Sequence, residues 1–357
     1  MGEGGEGDGR ADQLSERSRT AFKFTFLKQI FMKYTLSMLA ATVSAFPAVA
    51  ADAASTSSGQ AYPTRPIRLI VPYGAGGNAD ILGRIVGVRL AEVLGQPVIT
   101  DNRPGASGLL GSELAARAAP DGHTLLWVAN GHATNPSVVK KMPFDTAKDL
   151  ASISLTSATP MLLVTYNGLP ADNMKALIAY AKTRPGQINY ATSGNGSPNN
   201  FAGELLNMMA GTKLIHVAYK STPQATTDVI GGHVQSAMAS LTSVLPHVRG
   251  GKLKALGTTG AQRSTLAPEV PAIAETVPGY QAIIWNGLVA PGATPRTIIT
   301  RLNQIVVQQL KLSATRERFA GLGAEVLTST PQEFDTFIRA EMIKWDKVIK
   351  AGGIHPT

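Results

Sequence analysis

The chain has 357 residues, no cysteine and a formal charge of +9, from 33 basic and 24 acidic side chains. That length is about two domains' worth of chain, and zero cysteine excludes disulfides, Cys-built zinc sites, CxxC redox chemistry, a thiol nucleophile and lipid attachment to an N-terminal Cys. Hydrophobic residues at 44% and charged residues at 16% exclude a disordered chain, and no apolar run reaches the length of a comfortable membrane span.

In chain order, residues 1–33 are Gly- and Glu-rich and then basic, and residues 34–50 carry no charge. Lys33, an apolar run from Leu36 and Ala48-Val49-Ala50 have the order of a secretory signal peptide: basic n-region, apolar h-region, small-residue cleavage site. We read 32–50 as that signal, 1–31 as an over-called extension before Met32, and Ala51 as the first mature residue. The alternative for the uncharged run is a membrane anchor or an amphipathic helix. Export would place the mature chain in the periplasm, without a lipid anchor.

Residues 67–71 read as a buried strand, 74–80 as a glycine loop, and 81–94 as a helix stopping at Gly95. A strand at 97–100, a turn at 102–107, a short helix at 111–119 and a strand at 124–128 follow. Strand–helix–strand repetition of this kind implies a parallel sheet with helices on both faces. A second series starts with a strand at 161–165. It continues through helices at 174–181, 200–210 and 222–230 and strands at 187–190, 213–217, 234–238 and 254–257. Segments 282–285 and 287–290 read as a return strand, and helices at 297–309 and 331–351 end the chain. The division is two α/β domains, with the C-terminal segment returning to the first. Ligands of open α/β sheets sit at the carboxyl ends of strands, and in a two-domain chain those ends face one another across a cleft.

Three loops at strand ends carry the chemistry. The first, Pro72-Tyr-Gly-Ala-Gly-Gly-Asn-Ala-Asp80, brings backbone N–H groups and a helix N-terminus to an anion. It also fits G-x-G-x-x-[GA], with Asp101 where a ribose-binding acid would sit, so a dinucleotide site or a ligand-free structural turn stays open. The second, Ala191-Thr-Ser-Gly-Asn-Gly-Ser-Pro-Asn199, is either a second anion cradle or a flexible loop with Ser/Asn caps. The third, Asn130-Gly-His-Ala-Thr-Asn-Pro136, places polar residues at the end of the third strand. Catalytic patterns are thin: Ser137-Val-Val-Lys140 stands without its partner motifs, and the six histidines lack metal spacing. His132 and His216 lie at or near strand ends, Tyr219 leans to the cleft, and Trp285 fits either a core or a cleft wall. Basic residues are spread without Arg-rich runs, which excludes nucleic acid as a partner.

From Tyr62 to about Ile354 the chain resembles the Bug family, the extracytoplasmic substrate-binding receptors of tripartite tricarboxylate transporters. The resemblance is an ordered set. It begins with Tyr62-Pro-x-Arg-Pro-Ile-Arg-Leu-Ile-Val-Pro72, Gly76-Gly-x-x-Asp80, Leu94-Gly-Gln-Pro-Val98 and Asn102-Arg-Pro-Gly-Ala-x-Gly108. It continues with Pro185-Gly-Gln-Ile-Asn-Tyr190, Ser193-Gly-Asn-Gly-Ser197, His216-Val-x-Tyr-Lys220 and Trp285-Asn-Gly-Leu-Val-Ala-Pro-x-x-Thr294-Pro. It implies an α/β, two-domain Venus-flytrap fold like that of periplasmic binding proteins, with a ligand cleft between two doubly wound sheets and no catalysis. Lobe 1 would be 62–160 plus 286–357, and lobe 2 would be 161–285. The hinge would lie near 159–161 and 285–288.

Carried over by position, the first-lobe carboxylate loop would use Tyr73, the N–H groups of Ala75, Gly76 and Gly77, and Asp80. Gly131, His132 and Ala133 would add to it. Ser193, Asn195, Ser197 and Tyr219 would clamp the distal end from lobe 2, with Trp285 beside the cleft. Ala239 and Ser240 stand where many members carry an Asp-Asn pair, which argues against a ligand ammonium group. Ala79 replaces a residue that is often hydroxyl-bearing. The implied protein is a monomeric receptor for a small carboxylate, needing no cofactor and touching membrane transporter subunits transiently. The alternatives are an NAD(P)-binding Rossmann-type oxidoreductase and a ligand-sensing subunit of a signalling system.

Overall fold

The computed structural model describes residues 62–352; the expected extension at 1–31 and signal at 32–50 lie outside the described residues. Strand β1 (Ile67–Val71) is buried along nearly its whole length because helices cover both faces of its sheet. It runs parallel to β2 (Val98–Asn102) on one side and to β3 (Thr124–Ala129) on the other. Between them, α1 (Asn78–Leu94) buries Leu82, Ile85, Val86 and Leu90, the apolar stripe at helical spacing. The short α2 (Leu109–Ala116) follows β2, and α3 (Gly131–Val138) follows β3.

The second series holds β5 (Asn189–Thr192), β6 (Ile215–Ala218), β7 (Ser236–Ser240) and β8 (Lys254–Thr258). Its helices are α4 (Met174–Lys182), α5 (Pro198–Ala210), α6 (Thr222–Ile230) and α7 (Leu241–Arg249). β9 (Ile283–Pro291), α8 (Arg296–Leu310), α9 (Ser313–Gly321), β10 (Glu325–Val326) and α10 (Pro331–Ala351) complete the chain. The strand order is β2-β1-β3-β9-β4-β7-β5-β6, with β8 and β10 paired to β4 (Leu150–Thr165).

β4 is shared by the two halves. Up to Pro160 it pairs with β9, and from Met161 onward with β7 and β8. Thr259 fixes the changeover: its N–H donates to the Met161 carbonyl, its hydroxyl accepts from the Met161 N–H, and its carbonyl accepts from the Ala282 N–H. The second crossing therefore lies at 282–283. Trp285, Gly287 and Leu288, in the segment expected to bend, instead sit inside the antiparallel ladder of β9 with β3 and β4.

The strand expected at 161–165 begins eleven residues earlier, at Leu150. Ser154, Thr156 and Ser157 hide it from a hydrophobicity reading, yet all three are fully buried. They are buried because their hydroxyls find acceptors: Thr156 donates to the Asn286 carbonyl at 2.9 Å and Ser154 to the Leu155 carbonyl at 2.7 Å. Helices α3 and α7 were also not expected, since Pro136 and Pro246 stand inside them and an interior proline reads as a break.

The last helix, α10, touches both halves. Phe334 meets Trp285 edge-on at 5.8 Å, Trp345 lies 5.7 Å from Phe201 of α5, and Asp346 accepts from Ser137 of α3 at 3.1 Å. A capping box starts the helix: the Glu333 N–H donates to the Thr330 hydroxyl and the Glu333 carboxylate accepts the Thr330 N–H. Thr330→Ala is expected to cost about 1 kcal/mol, read as a lower urea midpoint at unchanged m-value. Among the described residues no helix is long and apolar enough to cross a membrane.

Candidate functional site

The carboxyl ends of β1, β2 and β3 bring three loops together. In the first, residues 74–78 are exposed while Asp80 is only 2% exposed. The Asp80 carboxylate accepts the Gly76 N–H at 2.9 Å, the Asn102 amide at 2.8 Å and the Arg84 Nε at 2.9 and 3.0 Å. Asn102 also donates to the Tyr73 carbonyl at 3.0 Å, and Arg84 Nη2 donates to Asn102 Oδ1 at 2.7 Å. Burial alone would raise the Asp80 pKa, but the hydrogen bonds from Arg84, Asn102 and Gly76 outweigh it and hold the carboxyl below its usual value.

Asp80 therefore shapes the glycine loop, its carboxylate already taken by protein donors. The Gly76 N–H is consumed in that task, which leaves the N–H groups of Ala75 and Gly77 without a partner among the described residues. Gly76 has φ +79, a left-handed conformation that aims its N–H inward. Tyr73 is half-buried, and burial raises its phenol well above the usual value.

The second loop, read from sequence only as a turn, is strained. Ala106 and Ser107 both sit at positive φ, 46 and 53, although neither is glycine. The strain carries the Ser107 carbonyl onto α3, where it accepts from Asn135 Nδ2 at 3.3 Å. A Cβ on Gly131 would stand 2.3 Å from that oxygen, so only glycine fits there. The N–H groups of Gly131 and His132 head α3 without partners among the described residues, whereas the Ala133 N–H donates to the Asn130 carbonyl at 2.9 Å. Ala133 is fully buried in the core, so neither its side chain nor its N–H is offered to a ligand. His132 is 6% exposed, its Nδ1 has no partner, and burial lowers its pKa to about 4, so the ring is neutral near pH 7.

The second half repeats this arrangement at the ends of β5, β6 and β7. Ser193 and Asn195 are exposed on the loop after β5. Ser197 caps α5: its hydroxyl accepts the Asn200 N–H at 3.2 Å and donates to the Gly194 carbonyl at 2.8 Å. Tyr219 donates its N–H to the Thr192 carbonyl at 3.0 Å and its hydroxyl to Asp228 Oδ2 at 2.7 Å. Burial and then the Asp228 carboxylate push its phenol up to about 12. Asn199 donates to the Met238 carbonyl at 2.9 Å and ties the loop to β7. Ser240 is half-buried with its hydroxyl 3.1 Å from Thr242, but Ala239 points into the core at 2% exposure.

Trp285 is a core residue and not a cleft wall. It has no exposed surface, its indole N–H donates to Glu341 at 3.1 Å, and Phe334 and Phe337 pack edge-on against it. Residues that sequence reasoning did not single out for these roles are Asn102, Arg84, Ser107, Asn199 and Asn130. Asn130 bridges the end of β3 to β9, donating to the Ile283 carbonyl at 2.9 Å and accepting the Trp285 N–H at 3.1 Å. The loops Asn102–Ser107, Asn130–Pro136 and Ala191–Asn199 were read from the sequence, but not these side-chain roles within them, and nothing in the sequence pointed to Arg84. Asp101 is also not a ribose acid: its carboxylate is taken by Arg68 at 2.5 and 2.8 Å and by Arg103 at 3.0 Å.

Two α/β halves joined through β4, the first presenting backbone N–H groups and the second small polar residues at their strand ends, define a two-lobed solute-binding receptor. Residues 82–354 match the family described as "Tripartite tricarboxylate transporter family receptor", and the chain belongs to that family. It is 35% identical over 321 residues to Protein BugT of Bordetella pertussis (strain Tohama I), covering 89% of this chain and 98% of that one.

Three solved structures are similar. "R. palustris Rpa4515 with adipate" has TM-score 0.67 and 34% identity, covering 83% of this chain and 100% of the other. MatC from Rhodopseudomonas palustris with bound malate has TM-score 0.63 and 30% identity, covering 81% and 100%. A TctC solute binding protein from Polaromonas with no ligand has TM-score 0.75 and 26% identity, covering 81% and 99%.

Proposed function

We propose that the chain is exported to the periplasm behind a cleavable signal at 32–50. There it captures a small carboxylate as a monomer and hands it to the membrane subunits of a tripartite transporter. The observation that carries this reading is the pinned glycine loop, whose Ala75 and Gly77 N–H groups are unpaired and exposed. Such donors suit an oxyanion, and adipate and malate are the ligands of two similar receptors.

Lobe 1 would comprise 62–160 and lobe 2 would begin at 161, which the changeover of β4 pairing at Met161 supports, while the chain would return to lobe 1 at 283, three residues before the 286 expected, because Ile283, Ile284 and Trp285 already pair with Pro160, Thr159 and Ala158. In lobe 1 the ligand's carboxylate would meet Ala75, Gly77 and the head of α3. From lobe 2 it would meet Ser193, Asn195, the ring face of Tyr219 and Ser240. Binding closes the lobes about the crossings at 159–161 and 282–283. No turnover is expected, because the family matched and the similar solved structures are solute-binding receptors.

A thermal-shift screen tests the reading. At ligand concentrations near 100 times Kd, a dicarboxylate is expected to add about 2.7 kcal/mol of stability, while NAD adds none. Stabilisation by NAD and by no carboxylate would overturn the reading.

A further inference from the structure

Besides β4, β9 and α10, a further segment joins the two halves. β10 belongs to the first half, paired antiparallel with Ser157 and Ala158. From it, Glu325 Oε1 accepts three hydrogen bonds from the second half: the Ser264 hydroxyl at 2.5 Å, the Thr265 N–H at 2.8 Å and the Thr265 hydroxyl at 3.2 Å. Ser264 is 3% exposed, and Arg263 beside it is held by a two-point pair with Glu275 at 2.8 and 2.9 Å. Just before β10, the Leu322 carbonyl accepts from Asn78 at 3.4 Å, where α1 leaves the glycine loop. Gly323 abuts Thr242, itself 3.1 Å from Ser240. Four consecutive residues thus touch the first half-site, the second half-site and the Ser264 loop.

We infer that Glu325 is a latch, a positioning residue that holds the lobes in the arrangement seen here and thereby sets the apparent affinity for ligand. This rests on the receptor reading above. Neither end of the Glu325 contact lies on β4 or β9, so rotation about those strands changes its length. A carboxylate accepting three donors resists that change more than a neutral contact would. The loops at 74–78 and at Ser193 and Asn195 are exposed in the latched arrangement, as an open cleft requires, so closure must break the latch. Apparent affinity scales with the fraction of molecules able to close, so weakening the latch strengthens binding.

Calorimetry with adipate and with malate, on wild type, Glu325→Ala and Ser264→Ala, tests this. Glu325→Ala is expected to lower the dissociation constant of whichever probe binds by roughly 5- to 10-fold. Ser264→Ala acts in the same direction and more weakly, and the double variant gains less than the sum. Small-angle scattering without ligand supplies an independent readout: Glu325→Ala should have a smaller radius of gyration than wild type. Unchanged or weaker affinity, or an unchanged radius of gyration, overturns the latch. If wild type binds neither probe, the assignment of a dicarboxylate fails, while scattering still decides the latch.

Discussion

Gly76→Pro is expected to abolish carboxylate binding and leave the fold intact. At φ +79 the Gly76 backbone lies in a region that proline, fixed near φ −65, cannot enter. Proline also removes the N–H that Asp80 accepts at 2.9 Å. Both defects act on the loop that aims the Ala75 and Gly77 N–H groups, so affinity should fall by more than about 100-fold, equivalent to roughly 2.7 kcal/mol. The loop is exposed and α1 starts beyond it at Asn78, so the melting temperature of the unliganded protein should move by only a few degrees. Calorimetry with adipate and malate checks the first statement and a thermal scan the second. Wild-type affinity in the variant would mean that this loop is not the binding site.

Asp80→Ala should lose stability and affinity together. The buried carboxylate is the common acceptor for Gly76, Asn102 and Arg84. Its removal leaves the Asn102 amide and the Gly76 N–H without their acceptor, while the exposed Arg84 guanidinium turns to water, a loss of about 1–2 kcal/mol. Urea denaturation measures that loss, and the loosened loop should lower affinity at least 10-fold. The pH dependence has a definite sign. Because Asp80 titrates below its unfolded value of 3.8, its stabilisation is fully present above that value and disappears as pH falls through the lower folded pKa. Wild type should therefore lose stability more steeply than Asp80→Ala below about pH 4. Parallel acid-unfolding curves would show that Asp80 is not the charged hub of the loop.

Much of the fold was legible because its signals are local. The run 67–71, the glycines that follow it and the apolar spacing of 81–94 carry β1, the glycine loop and α1 within thirty residues. The ordered motifs from Tyr62 to Thr294 carried the family in the same way. Less legible were elements whose identity depends on partners far away. The first part of β4 looks polar until Asn286 and Ser329 receive its hydroxyls and amides. α3 and α7 contain prolines whose cost is offset by packing on other elements.

The same division runs through the site. The sequence by itself determined where backbone N–H groups are exposed, since a glycine-rich loop between strand and helix has few other forms. Only the tertiary structure decided which side chains serve those loops. Asp80 is spent on Asn102 and Arg84, Trp285 on Glu341 in the core, and Tyr219 on Asp228. A polar side chain can face a ligand only if no protein partner claims it first, and such partners are brought together by folding. The charge of +9 and the missing cysteine stand as they were read; that β4 exchanges β9 for β7 and β8 at Met161 was visible only in the tertiary structure, because strand pairing joins segments far apart in the chain.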